Sequence, residues 1–130
     1  MVCFDRKLNM TFKIAGVQMD IVLMDISANL RAMEKALRKT TSTGARLTIF
    51  PECAVTGYCF DSLEEAMPYA ESIPGESSQF FEKLCRETDS FVIYGTLERV
   101  DDKLFNACVL VGPAGVIGSY RKIPLPFLGI

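Results

Sequence analysis

The spacing of apolar positions changes character from segment to segment along this chain, and each change marks an element. Over Thr11–Met19, Phe12, Ile14 and Gly16 alternate with Lys13, Ala15 and Val17, which predicts a buried strand over 12–19. Ile26, Leu30, Met33 and Leu37 then recur at helical spacing, while Arg31, Glu34, Lys35, Arg38 and Lys39 fill most of the remaining surface. This predicts a helix over 26–43, capped by Asp25 or Ser27 and stopped at Gly44, with the charges as its solvated face. Leu47-Thr48-Ile49-Phe50 follows at once and predicts a strand over 46–50. It must end at Pro51, which has no N–H for a sheet ladder. Strand, helix, strand at this spacing is a βαβ-like start.

Farther along, the rhythm is helical and then extended. Ser62 and Glu65 have the spacing of a capping box that opens a short helix toward Ala70, and Ile73-Pro74-Gly75 breaks it. Phe80, Phe81, Leu84 and Cys85 form the buried side of a second long helix over 77–89, where Cys85 reads as a core thiol. Three strands are predicted after it, over 91–99, 104–111 and 115–121. The turns Asp101-Asp102-Lys103 and Gly112-Pro113-Ala114-Gly115 separate them, which makes an antiparallel meander beside the βαβ portion.

Composition narrows the class. With 49% hydrophobic and 23% charged residues, these 130 residues describe one soluble globular domain or part of one, not a disordered chain. Residues 1–10, carrying Asp5, Arg6 and Lys7 and no long apolar core, read as a loose N-terminal extension, and residues 11–130 as the domain. A net charge of −2 argues against a nucleic-acid surface. No apolar run approaches the roughly 20 residues of a membrane span, so no membrane partner is expected.

The absence of histidine removes every Ser-His and Cys-His pair and every His-ligated metal. The five cysteines are odd in number and form no C-x-x-C pair, so a zinc site or a disulfide framework fits poorly. Reduced thiols in a cytoplasmic compartment are the simplest reading.

Two residues carry candidate chemistry. Glu52 stands just past the 46–50 strand among apolar or small neighbours, at the kind of sheet rim where α/β proteins commonly place chemistry. Burial there would raise its pKa toward that of a usable base, although an ordinary solvated glutamate fits the stretch equally well. Lys122 ends the last strand in Tyr120-Arg121-Lys122 and, taken alone, reads as a solvated edge charge. Pro124 and Pro126 then force an extended exit. Gln18 reads either as a buried hydrogen-bonding residue or as an edge polar group.

In order and spacing, Phe50-Pro51-Glu52, Thr56-Gly57-Tyr58 and Gly118-Ser119-Tyr120-Arg121-Lys122 form one pattern. Lys13–Met19, Asn29, Ile73-Pro74-Gly75, Gly95 and Asn106 fall into it. Over residues 12–129 the chain resembles the carbon–nitrogen hydrolases of the nitrilase superfamily. The resemblance implies an α/β fold, an α-β-β-α sandwich whose helices cover the outer faces of two stacked sheets, present here as an incomplete N-terminal half. It further implies hydrolysis of a non-peptide C–N bond in a small-molecule amide or nitrile by a Glu-Lys-Cys triad, with no cofactor. The complete family member is expected to be a homo-oligomer.

Glu52 matches the family's general base and Lys122 its lysine. The nucleophilic cysteine lies beyond the lysine in this family, and the sequence stops at Ile130, so of the triad only Glu and Lys are present. Pro124 stands where many relatives carry the histidine of Lys-x-His-Leu-Pro, which touches substrate-side packing more than the reaction class. Cys53, next to Glu52, should point away from it, and Cys59 is geometrically less excluded; both read first as small apolar side chains. Burial and the lysine push the Glu52 pKa in opposite directions, and sequence leaves that balance open. The alternative reading is a truncated, catalytically inactive relative, serving as a binding or interaction module or without function. On either reading, unpaired edges and uncovered apolar faces predict self-association.

Overall fold

The computed structural model describes residues 11–123; the expected N-terminal extension and the proline-rich exit lie outside the described residues. Local chemistry sets the helices. In α1 (Ile26–Ser42) the Asp25 carboxylate accepts the Ala28 N–H at 2.8 Å. At its other end Gly44, at φ 88°, donates its N–H to the Thr41 carbonyl at 2.9 Å, a left-handed stop that glycine adopts without strain. The short helix α2 (Leu63–Ala66) continues as one 3₁₀ turn over Met67–Tyr69. Its capping box is only half made. Ser62 Oγ accepts the Glu65 N–H at 3.1 Å, but the Glu65 carboxylate takes the Asp61 N–H at 2.6 Å instead of that of Ser62. Helix α3 spans Glu76–Thr88.

The strands β1 (Ile14–Gly16), β2 (Leu47–Ile49), β3 (Phe91–Val100), β4 (Lys103–Gly112) and β5 (Gly115–Arg121) join one sheet in the order β1-β2-β3-β4-β5. β1, β2 and β3 are parallel; β3, β4 and β5 form the antiparallel meander. Successive side chains on a strand face opposite ways. Thr48, Val92, Tyr94, Val109 and Val111 are thereby turned to one face. There the apolar ones pack with Met33 and Leu37 of α1 and Phe81, Leu84 and Cys85 of α3 in one cluster. An Arg38–Glu87 ion pair of 2.7 Å also links the two helices. Both helices therefore lie on the same face.

This corrects the expectation that these elements divide between two stacked sheets. β3 is hydrogen-bonded to β2 on one edge and to β4 on the other, so the meander cannot leave to form a second layer. The described chain supplies the α and first β layers of the α-β-β-α order. The sheet's opposite face is open: Ile14, Ile49, Ile117 and Tyr120 are each between 37% and 59% exposed. β1 is accordingly not the buried strand predicted over 12–19, but a short edge strand with Ile14 directed to the open side. Gln18 is exposed, as an edge polar group would be. No helix among the described residues is long and apolar enough to cross a membrane.

Candidate active site

Glu52 is held by the backbone that leaves β2. The Phe50 N–H still donates to the Ile93 carbonyl at 2.8 Å, and Pro51, with no N–H to give, accepts the Gly95 N–H at 3.2 Å. The chain then turns tightly, with the Gly57 N–H closing onto the Cys53 carbonyl at 2.8 Å. All of this lies flat on β3 because residue 95 has no side chain. A Cβ there would fall 2.5 to 2.7 Å from Cys53 N, Pro51 O and Glu52 Cα. From beneath, the buried Asn29 of α1 accepts the Val22 N–H at 2.8 Å and donates to the carbonyls of Val22 at 2.7 Å and Val55 at 3.0 Å. One side chain thus satisfies three backbone groups of two loops.

Lys122 is positioned by β5. Its N–H donates to the Asn106 carbonyl at 2.7 Å, and strand alternation sends Arg121 and Lys122 to opposite faces. Arg121 forks onto Glu98 at 2.6 and 2.8 Å and lies 4.2 Å over the Phe105 ring. Lys122 faces the open side and donates from Nζ to Glu52 Oε1 at 2.8 Å, across seventy positions of sequence. The Asn106 side-chain amide donates to the same oxygen. Asn106 is the member of this site that sequence reasoning did not assign. Its signals were its place in the family pattern and its standing as a lone amide in the apolar run Leu104–Val111, neither of which gave it a role.

The Glu52 carboxyl lies below its ordinary value, first because Lys122 donates to it; partial burial opposes this and the Asn106 hydrogen bond assists it. The same contact raises the lysine. The balance that sequence left open falls on the lysine's side, contrary to the expectation that burial would raise the glutamate. The reason is exposure: the two side chains are 48% and 44% accessible, so desolvation is weak.

The described cysteines differ sharply. Cys53 is fully buried, and burial, then the neighbouring Glu52 charge, pushes its thiol up to about 12. Cys85 is a core thiol, pushed by burial to about 11, and Cys59 is exposed. Cys108, half-buried, is the described cysteine that lines the same cavity of about 340 Å³ as Glu52 and Lys122. Among the described residues no group of three His, Cys, Asp or Glu could hold a metal ion.

The Glu98 carboxylate is only 7% exposed, so Arg121→Met leaves a buried charge unpaired. The midpoint of thermal unfolding is expected to fall, and adding Glu98→Gln should recover part of the loss. Coincident midpoints for the single and double variants would contradict this role for the ion pair.

A glutamate and a lysine joined at the open face of an α–β half-sandwich define a class, and comparison with known proteins supplies its name. The model of the carbon–nitrogen hydrolase family matches residues 13–127, and the chain belongs to that family. It is similar to a nitrilase from Pyrococcus abyssi (strain GE5 / Orsay), 40% identical over 114 residues, which cover 87% of this chain and 44% of the relative. It is also similar to an omega-amidase from Homo sapiens, 33% identical over 117 residues, covering 88% of this chain and 41% of that one. Among solved structures, an N-terminal amidase superposes with a TM-score of 0.78 at 26% identity, over 89% of this chain and 29% of the amidase. The chain thus spans less than half the length of these relatives.

Proposed function

We propose that this chain carries the glutamate and lysine of a carbon–nitrogen hydrolase that cleaves a non-peptide amide or nitrile through a Glu-Lys-Cys triad, without a cofactor. The observation that supports it most is the Glu52–Lys122 contact of 2.8 Å, shared with Asn106, at the open face of the sheet. On an amide, the Glu52 carboxylate takes the proton of a cysteine thiol, and the thiolate attacks the carbonyl carbon. Lys122 offsets the negative charge that develops on oxygen. Glu52 returns the proton to nitrogen, ammonia leaves, and a thioester remains. Water, deprotonated by Glu52, then hydrolyses the thioester and restores the thiol.

Two conditions follow from the geometry. A carboxylate held below its ordinary range is ionised at neutral pH but is a weak base. Covering the open face would desolvate it and raise its pKa toward the task. The family's second sheet is the layer we propose for that cover. The nucleophile is the other condition. Cys53 is buried and neutral; because the family order puts the nucleophile beyond the lysine, we place the reacting thiol in a segment that follows Lys122. The same reading carries a reducing, cytoplasmic setting and a homo-oligomeric assembly.

The test uses the polypeptide encoded by the complete reading frame. It is expected to release ammonia from at least one member of a panel of small amides and nitriles, in a manner that requires Glu52. A folded protein that releases none would favour the non-catalytic alternative, a binding module.

A further inference from the structure

Beside the Glu52–Lys122 pair lies a second cavity, of about 410 Å³, that the reaction above does not use. Its walls include Tyr58, Cys59 and Phe60 from the loop after Glu52, Leu63 from α2, and Leu97 and Leu104 from the β3–β4 hairpin. Asn106 lines both this cavity and the one that holds Glu52 and Lys122. A molecule that presents a C–N group to the pair therefore has an apolar chamber immediately next to that group.

The lining decides what the chamber accepts. None of its described residues is Asp, Glu, Lys or Arg. The Ser62 hydroxyl in its wall already accepts the Glu65 N–H. Arg121, one residue from Lys122, is committed to Glu98 on the opposite face of the sheet. An ionised group entering here would shed its water and meet no counter-charge among the described residues of the lining, whereas a methylene gains from leaving water.

We propose that this cavity receives the carbon chain of an uncharged aliphatic amide or nitrile, and that it disfavours amides bearing a second, ionised carboxylate. The inference rests on the hydrolase reading for the placement of the C–N group at Glu52. Leu97, Leu104 and Phe60 are then specificity-determining residues, and Asn106 stands where the polar and apolar ends of the substrate meet.

Two measurements test it on the complete reading-frame protein. In the first, kcat/KM is compared across acetamide, propionamide, butyramide and pentanamide, and between 4-methylpentanamide and the similarly shaped monoamide of succinic acid. Each added methylene is expected to raise kcat/KM by about fourfold until the cavity is filled. The neutral member of the last pair should exceed the carboxylate by about a hundredfold, and Leu104→Arg should narrow that ratio by at least tenfold. A flat chain-length series, or a preference for the carboxylate in the unaltered protein, would overturn the proposal.

The second measurement does not need turnover. Cys59 is exposed and lines the cavity, so its rate of modification by methyl methanethiosulfonate, read by peptide mass, reports occupancy. Pentanamide is expected to slow that modification several-fold, and the succinic monoamide is not. Protection by pentanamide without ammonia release from any substrate would leave the cavity assigned and remove the hydrolase reading. Ammonia release with Cys59 unprotected would do the reverse.

Discussion

Gly95→Ala is expected to lower the stability of the fold by about 3 kcal/mol and hydrolysis by about a hundredfold. The three atoms that the new methyl would meet, Cys53 N, Pro51 O and Glu52 Cα, are all backbone, so no side chain can rotate away. The contact is also fixed from the other side, because the Gly95 N–H donates to Pro51 and its carbonyl accepts the Val55 N–H. Either β3 shifts in the sheet or the 51–53 segment lifts, and lifting it carries Glu52 away from Lys122 and Asn106. Gly118→Ala is the matched control. Nothing lies within 4 Å of a Cβ built there, so its effect should stay within about 0.5 kcal/mol. Denaturant unfolding of the two variants checks the contrast, and equal midpoints would refute the role given to Gly95.

Lys122→Met is expected to have a small effect on stability and a large one on rate. Both ends of the ion pair are about half-exposed, which screens its contribution to folding. The pH dependence has a definite sign. Glu52 is lowered from 4.5, so its contribution is present above that value and is lost as pH falls through the folded pKa. Lys122 is raised from 10.5, so its contribution is present below that value and is lost as pH rises through the folded pKa. The stability difference between the native protein and Lys122→Met should therefore appear between these limits and vanish at either extreme. In the variant the largest cause that lowers Glu52 is gone. Carbon-13 NMR of the Glu52 carboxyl should accordingly find its pKa higher than in the unaltered protein. In the complete protein, loss of the ammonium should reduce kcat by about a thousandfold. An unchanged rate would remove Lys122 from the reaction.

Much of this was written in local pattern. Helix α1 followed from a stripe ending in Leu37 and a glycine stop at Gly44, and β3, β4 and β5 followed from apolar runs broken by turn residues. Tertiary choices were less legible. Periodicity says that Ile14 shares a face with Phe12 and Gly16 but not that this face is left open, so β1 read as buried when it is an edge. Hairpin turns say that β3, β4 and β5 are neighbours; only pairing along both edges of β3 says that they share a sheet with β1 and β2. At the site, Glu52 and Lys122 were recognisable because each ends a strand within a motif. The sign of the Glu52 pKa was not, because it depends on an accessibility that no spacing encodes. Asn106 was noticed as part of the pattern but given no role, because that role comes from its register beside Lys122 and not from its neighbours in sequence.

The central claim is that Glu52 acts on a C–N bond with Lys122 beside it. Ammonia release by the complete reading-frame protein and by its Glu52→Gln variant, measured on the best amide of the panel, tests this most directly. Glutamine keeps an oxygen for Lys122 and Asn106 but cannot take a proton at neutral pH. The variant is expected to show an unchanged unfolding midpoint to within a few degrees, with kcat reduced by roughly a thousandfold or more. A Glu52→Gln protein that is folded and releases ammonia at the native rate would contradict the account.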